Sequence, residues 1–151
     1  MKKVVLVARI EESVEIKRPV EQVFAYVADA RSWPKWHPAM PEAEQTSPGQ
    51  MGIGTTIRGI NKVMGMRMPW TSKVTEYEPN KKWGETISSG SSLIEEQLTF
   101  DSVEGGTKLA VVYDMKVGGF LKLLAPMVIR TMRKQLKTNL STLKSILDKQ
   151  A

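Results

Sequence analysis

The sequence contains no cysteine and a single histidine, His37, among its 151 residues. Without cysteine, the chain cannot form disulfides, use thiolate chemistry or bind a metal through sulfur. With one histidine and no cysteine, the chain has almost no typical zinc ligands, and a serine-based catalytic triad is difficult to form. No phosphate-binding or dinucleotide-binding glycine motif is present either. We therefore predict no metal and no cofactor, and for His37 we favour a capping or surface role over catalysis.

Long apolar runs are also missing. No stretch approaches the roughly 20 apolar residues that a membrane-spanning helix requires, so we predict no membrane span. The apolar run after Met1–Lys3 is too short for a signal peptide, which favours the cytoplasm. With 41% hydrophobic and 25% charged residues, the composition is typical of a globular protein, and the length predicts one domain over residues 1–151.

The net charge of +6 lies in the C-terminal segment. From Gly119 onward there are seven basic residues and one acid, whereas the preceding residues hold fifteen of each sign. Such a stripe is typical of a solvated helix face, so we predict no specific nucleic-acid partner. Weak contact of this basic face with anionic surfaces such as a membrane, RNA or an acidic partner stays open. The basic face consists of Arg130, Arg133, Lys134, Lys137 and Lys144.

Residues 119–149 predict one long amphipathic helix, because apolar residues recur there by threes and fours. These residues are Leu121, Leu124, Val128, Met132, Leu136, Leu143 and Ile146. Pro126 cannot donate to the carbonyl of Lys122, so the regular helix should begin near Leu124. The lead-in at Gly118–Leu121 should be bent, which is a natural place for a lid. The apolar side of the helix needs a partner to cover it.

The rest of the chain predicts a strand at 8–18, two short helices and about six further strands. The helices are expected to start at Pro19 and at Asp29, and the second is interrupted by Pro34. The further strands are expected at 42–46, 53–64, 66–78, 83–89, 93–100 and 107–117. Pro69 predicts a bulge or an edge position. Turn residues between the strands indicate antiparallel hairpins, and hence an α+β fold with helices on one side of the sheet. Because such a sheet leaves more room than one helix fills, we expect a cavity.

Two acids are predicted to face each other inside this cavity. Apolar residues have odd numbers in the strand at 83–89 and even numbers in the next strand, which turns Glu85 and Glu96 inward. A turn built on Gly90–Ser91 pairs these two acids directly, and one plausible register places Tyr113 beside Glu96. Two such carboxylates repel each other, so at least one should have a raised pKa and be able to transfer protons.

Other interpretations of these residues stay open. The hairpin end can lie at a wet mouth, a bulge can turn one acid outward, or Arg58 or Arg67 can hold the acids as a structural pair. Trp33 and Trp36 can gate a pocket or anchor the short helices, and core packing is the favoured role. Several methionines lie in elements that could line the cavity, where soft side chains suit varied apolar ligands but also fill irregular cores.

Several segments together resemble one known family. They are Glu15–Phe24, Trp33–Trp36 with Pro38, Gly52–Thr55, Glu76–Trp83 and Gly105–Leu109. They are similar to the START-related polyketide cyclase/dehydrase and lipid-transport proteins of the SRPBCC superfamily, the helix-grip group that includes the birch-pollen-allergen fold. The resemblance implies a curved seven-stranded antiparallel sheet around the long C-terminal helix, with a cavity for a hydrophobic ligand between them. Members range from aromatic cyclases to lipid and quinone carriers, and the fold does not choose among them.

We therefore predict a START-like domain that binds or transports a small hydrophobic molecule, such as a lipid, a polyketide or a quinone-like compound. The alternative is a polyketide cyclase or dehydratase without metal or nucleotide cofactor, for which the catalytic candidates are Glu85, Glu96 and Tyr113. No catalytic set of a characterised cyclase matches residue by residue. The predicted binding residues are Trp33, Trp36, Met68, Trp70, Glu85, Ile87, Ile94, Glu96, Tyr113, Met115, Leu124, Val128 and Met132.

Overall fold

The computed structural model describes residues 6–90, 92–118 and 123–150. The elements in chain order are β1 (Leu6–Ile16), α1 (Val20–Val27), a 3₁₀ turn (Ala30–Ser32), α2 (Trp33–Trp36), β2 (Glu42–Gln45), β3 (Thr56–Val63), β4 (Met66–Glu78), β5 (Lys82–Ser89), β6 (Ser92–Val103), β7 (Gly106–Val117) and α3 (Ala125–Asp148). The predicted lid at 118–121 lies, apart from Gly118, outside the described residues. None of the described helices is long and apolar enough to cross a membrane.

The seven described strands form one antiparallel sheet in the order β1-β7-β6-β5-β4-β3-β2. Neighbours from β2 to β7 are consecutive in the chain, and β1 pairs with β7 along its whole length. The short helices follow β1 and the long helix α3 ends the chain. The predicted helix-grip α+β fold is therefore confirmed.

The connection from β1 to β2 contains the two short helices. In α1, Val23, Phe24 and Val27 are buried at helical spacing. The Asp29 carboxylate then accepts a hydrogen bond from the Arg31 backbone N–H at 3.0 Å and begins the 3₁₀ turn, as predicted. The predicted interruption at Pro34 is wrong. Pro34 lies in the first turn of α2, where the missing N–H of proline would have no partner in any case.

The register shift of the sheet lies in β4, but away from Pro69. β4 pairs with β3 through Pro69 without a shift, and the shift in its pairing with β5 falls between Val74 and Glu76. The bulge predicted at Pro69 is therefore wrong. The pairing with β5 begins only at Thr71, so Pro69 lies beyond that ladder, which agrees with the alternative of an edge position.

Gly59 of β3 lies directly opposite Trp70 of β4 and allows the indole to lie across the strand. A Cβ at Gly59 would overlap the Trp70 ring and would lie 2.7 Å from the carbonyl oxygen of Glu42. This close approach has room only for glycine. It fixes one of the large aromatic side chains on the inner face of the sheet.

α3 packs against β1 through a wider apolar face than the sequence pattern predicted. Leu136 and Leu143 are buried as expected, whereas Ile146 is only partly buried. Leu140 and Leu147 were not in the predicted set, yet both are buried in the core, at 3% and 2% exposure. The predicted helix residue Leu121 lies outside the described residues. On the basic face, four side chains are exposed, namely Arg130, Arg133, Lys134 and Lys137.

Candidate functional site

A cavity of about 190 Å³ lies between the inner face of the sheet, the short helices and α3. The structure places every predicted binding residue on its wall: Trp33, Trp36, Met68, Trp70, Glu85, Ile87, Ile94, Glu96, Tyr113, Met115, Leu124, Val128 and Met132. Most of the wall is aliphatic, aromatic or methionine side chain. Whether these residues bind a ligand stays a prediction.

Glu85, Glu96 and Tyr113 form one row across three neighbouring strands. β5 and β6 pair without a register shift, which places Glu85 directly opposite Glu96. In the next pair of strands Glu96 lies opposite Tyr113. The predicted pairing of the two acids and the predicted position of Tyr113 are both confirmed. Since side chains directly opposite each other in a sheet share a face, all three point into the cavity.

The structure excludes the bulge and the arginine-held pair, and it excludes the wet mouth for Glu85. Glu85 is only 3% exposed, so its side chain does not lie at a wet mouth, whereas Glu96 is partly buried. No bulge separates the two acids, because β5 and β6 are in continuous register. Arg58 and Arg67 are exposed and pair with acids of β2, at 2.6 and 3.6 Å, rather than with Glu85 or Glu96. The acids therefore face each other inside an apolar wall.

Burial sets the protonation of this row. It raises the pKa of Glu85 well above the ordinary value of 4.5, and the charge of Glu96 raises it further. The Ser72 hydroxyl counteracts part of that rise, although Ser72 Oγ and Glu85 Oε2 do not form a well-directed hydrogen bond. Burial also raises the pKa of Glu96 to about 7, and the Tyr113 hydroxyl, which donates to the Glu96 carboxylate, lowers it only in part. The two acids therefore hold at least one shared proton near neutrality.

All four tryptophans of the chain line the cavity. Trp33 of α2 meets Trp83 of β5 edge to face, with ring centroids 5.5 Å apart, and lies 6.4 Å from Trp70 of β4. The Trp33 indole N–H donates to the carbonyl of Val27 at 2.7 Å, and Trp70 donates to Asn61 Oδ1 at 3.2 Å. Trp33 and Trp36 are 5% and 4% exposed, so they anchor the short helices and border the cavity at the same time.

With this geometry established, comparison with known proteins identifies the family. A family model described as polyketide cyclase / dehydrase and lipid transport matches residues 7–148. The chain belongs to this family. No curated protein matches the chain significantly.

Solved structures of several proteins share the fold of this family member. The Zhui aromatase/cyclase from Streptomyces sp. R1128 has a TM-score of 0.82 at 14% identity, over 95% of this chain and 94% of that one. A START superfamily protein from Mycobacterium smegmatis has a TM-score of 0.78 at 17% identity, over 95% and 99%. Ara h 8.0201, a Bet v 1-like allergen, has a TM-score of 0.65 at 18% identity, over 93% and 99%. At these identities, the similarity shows the fold alone.

His37 closes the C-terminal end of α2 in this family member. Its Nδ1 lies 2.8 Å from the Trp33 carbonyl oxygen, and its ring lies 3.8 Å from that of Trp36. Burial lowers the pKa of His37 to about 4, so the ring is neutral at physiological pH. The predicted capping role is confirmed. Among the residues with described positions, no three His, Cys, Asp or Glu side chains are grouped closely enough to hold a metal ion.

Asn139 is a wall residue that the sequence analysis missed. It is 8% exposed and belongs to the buried face of α3, one turn after the wall residue Gln135. The apolar pattern passed over both because they are polar. Their spacing was the available signal, since residues three and four apart share a helix face: Asn139 follows Leu136 by three, and Gln135 follows Met132 by three. The α3 side of this cyclase-family cavity therefore presents two amides opposite the two acids of the sheet.

Proposed function

We propose that the cavity binds a small hydrophobic molecule and that the protein carries it. The observation that supports this most directly is the enclosed space of about 190 Å³ between sheet and α3, walled mainly by apolar side chains. A cleft of this kind with a few converging polar groups is the usual form of a small-molecule site. Lipid, polyketide and quinone-like compounds are the candidate ligand classes.

The cavity volume limits the ligand. A cavity of about 150 Å³ holds one benzene molecule, so about 190 Å³ suits a molecule of one or two rings or a short chain. A larger ligand would have to reach through an opening. Met64 and Met66, at the β3–β4 hairpin, belong to the cavity wall and are 53% and 60% exposed. They mark a side on which the cavity meets solvent, where a longer chain could leave it.

Native mass spectrometry of the protein purified from its own host tests the proposal. We expect a bound small molecule that organic solvent removes, and quenching or a shift of tryptophan fluorescence when it is returned, because all four indoles line the cavity. Val128→Trp should abolish this binding, since Val128 of α3 lies on the cavity wall. Thr138→Trp places the same bulk on an exposed position of the same helix and should bind normally.

Two outcomes would contradict the proposed binding of a ligand in the cavity. A protein that arrives without ligand and shows no fluorescence response to lipid, polyketide and quinone-like compounds has no such function. Equal binding by Val128→Trp and the unmodified chain would place the ligand outside the cavity.

A second candidate function is that of a cyclase or dehydratase, and the paired acids favour it. Glu85 and Glu96 hold a proton near neutrality beside the Tyr113 hydroxyl, as general acid–base chemistry requires. The similar structure described as an aromatase/cyclase supports this reading at the level of fold. Incubation with the ligand found in the native complex separates the two functions. A carrier returns the ligand unchanged, a cyclase returns an isomer of different chromatographic retention, and a dehydratase returns it lighter by one water; Glu96→Gln should stop either change.

The remaining parts of the proposal concern partners and compartment. We place the protein in the cytoplasm and assign it no specific nucleic-acid partner. The exposed basic face of α3 allows weak contact with anionic surfaces, which salt should weaken. Sedimentation with vesicles of anionic and neutral lipid at two salt concentrations tests this contact, and equal recovery with both vesicle types would exclude it.

A further inference from the structure

The cavity wall contains acids and no basic side chain among the residues whose positions are described. Its ionisable groups there are Glu85 of β5, Glu96 of β6, Tyr113 of β7 and His37 at the end of α2. The α3 side contributes the uncharged amides of Gln135 and Asn139. Since His37 is neutral at physiological pH, the wall can carry negative charge but offers no positive charge to balance it.

Glu85 presents an unused acceptor to this space. Its side chain is almost completely buried, at 3% exposure, and Oε2 has no hydrogen-bond partner among the described residues. A buried polar atom without a partner is costly and rare in native proteins. The opposing Glu96 is already engaged by Tyr113. Ser72 Oγ is itself unpaired and makes no well-directed bond to this oxygen, so Glu85 Oε2 is left able to accept a hydrogen bond from a bound molecule.

Indole rings lie beside this acceptor. Trp83 precedes Glu85 by two residues on β5 and so shares its face of the sheet, and Trp33 packs against Trp83. The N–H of Trp83 has no hydrogen-bond partner among the described residues, whereas the N–H groups of Trp33, Trp36 and Trp70 are bound to protein acceptors. Those rings therefore offer the cavity carbon surface and π faces. Tryptophan faces attract cations, most strongly where water is excluded.

We propose that the ligand is an apolar molecule with one protonated amine, whose nitrogen lies between the Glu85–Glu96 pair and the indole of Trp83. The inference rests on the proposed function and narrows the ligand class. An ammonium group supplies the donor that Glu85 Oε2 lacks and the positive charge that the wall lacks. A fatty acid, by contrast, would bring its carboxylate to two acids with no basic partner.

The binding of such an amine should depend on pH. Near pH 7 the pair passes from two protons to fewer, as Glu96 ionises, and the Tyr113 hydroxyl supports that ionised form. The other titratable group that faces the cavity, His37, does not change charge there. Amine affinity should therefore rise as the pH rises through about 7, because the anion that pairs with the ammonium becomes available.

Isothermal titration calorimetry with three compounds of nearly equal shape tests the inference: phenylbutylamine, phenylbutanol and phenylbutyrate. At about pH 8 we expect the amine to bind about tenfold more tightly than the alcohol, because a hydrogen bond between charged groups exceeds a neutral one. The butyrate should bind most weakly. Glu85→Gln and Glu96→Gln should reduce amine affinity to that of the alcohol. Glu95→Gln, on the exposed side of β6 next to Glu96, should leave it unchanged.

The comparison among the three compounds needs only the unmodified protein, so it stands even if a variant fails to fold. Equal affinities, or a preference for the butyrate, would overturn the amine while leaving the carrier function in place. If none of the three binds, the amine assignment fails as well, and the native mass spectrum decides the carrier function separately. An amine preference that both glutamine variants retain would place the nitrogen elsewhere and also overturn the assignment.

Discussion

The C-terminal half of α3 is packed on the sheet, whereas its N-terminal half borders the cavity. Leu140, Leu143 and Leu147 are 0–3% exposed and belong to the hydrophobic core. Val128 and Met132 are only partly buried and face the empty space. One continuous helix therefore has two environments, and the change occurs near its middle, within about two turns.

Hydrogen bonds also attach the C-terminal half of α3 to the sheet. Asp148 accepts a hydrogen bond from the Lys17 backbone N–H at 2.8 Å, and Lys144 donates to the Glu15 carbonyl at 2.6 Å. These bonds join the end of α3 to the end of β1. Because the helix is fixed at that end, its other half does not have to fill the space over the sheet. Stability and binding are thus separated along the helix, and substitutions in the two halves should have different effects.

Leu143→Ala should have the largest effect on stability. Leu143 is 0% exposed, so truncation loses buried apolar contact and leaves a closed void, at a cost of about 3–4 kcal/mol. Met132→Ala removes a side chain of similar size from the cavity wall and should cost about 1 kcal/mol, since it only enlarges an existing space. Urea unfolding of both variants measures the difference. Equal losses would contradict the division of α3 into two halves.

The sheet register and the acid pair could be predicted from the sequence because a strand has a period of two. The apolar residues of each strand show which alternate positions face the core. A tight turn at Gly90 then allows one register for β5 and β6, in which Glu85 lies opposite Glu96. The neighbouring β7 then places Tyr113 in the same row. These relations are local and depend on the order of residues along adjacent strands.

The packing of α3 and the size of the cavity could not be predicted in this way. Leu140 and Leu147 were missed because the prediction took only one row of apolar residues as the buried face. α3 buries a wider face than that row against β1. Asn139 was missed because polarity alone suggested solvent. The cavity volume depends on contacts between distant segments, such as Trp33 of α2 against Trp83 of β5, which no local pattern contains.

The two buried acids of the cavity wall should make the stability of the protein depend on pH. The pKa of Glu96 is about 7 in the folded protein against an ordinary 4.5, and that of Glu85 is also raised, so the folded state retains protons that the unfolded state releases. The free energy of unfolding should therefore fall as the pH rises from about 4.5 through about 7, by about 3 kcal/mol from Glu96 alone. Urea unfolding across this range measures the slope.

Matched variants test whether Glu85 and Glu96 cause this change of unfolding free energy with pH. The double variant Glu85→Gln, Glu96→Gln should lose it and should be more stable than the unmodified chain at about pH 8, because two buried acids no longer repel each other. Glu95→Gln, with its side chain exposed on the same strand, should retain it. A slope that survives in the double variant would mean that other groups govern the pH response.

The packed end of α3 should show a smaller effect of the opposite sign. The backbone N–H of Lys17 and the side chain of Lys144 hold the pKa of Asp148 below its usual value of 3.8, so its contribution to stability is present above that value and is lost as the pH falls through the lowered pKa. Asp148→Ala should therefore cost about 1 kcal/mol near neutrality and less in acid. Asp101→Ala, an exposed acid of β6, is the control. Lowering the pH should thus weaken the hydrogen bonds at the C-terminal end of α3 and reduce the repulsion between Glu85 and Glu96. If Asp148→Ala costs no more stability than Asp101→Ala, the apolar contacts alone fix α3.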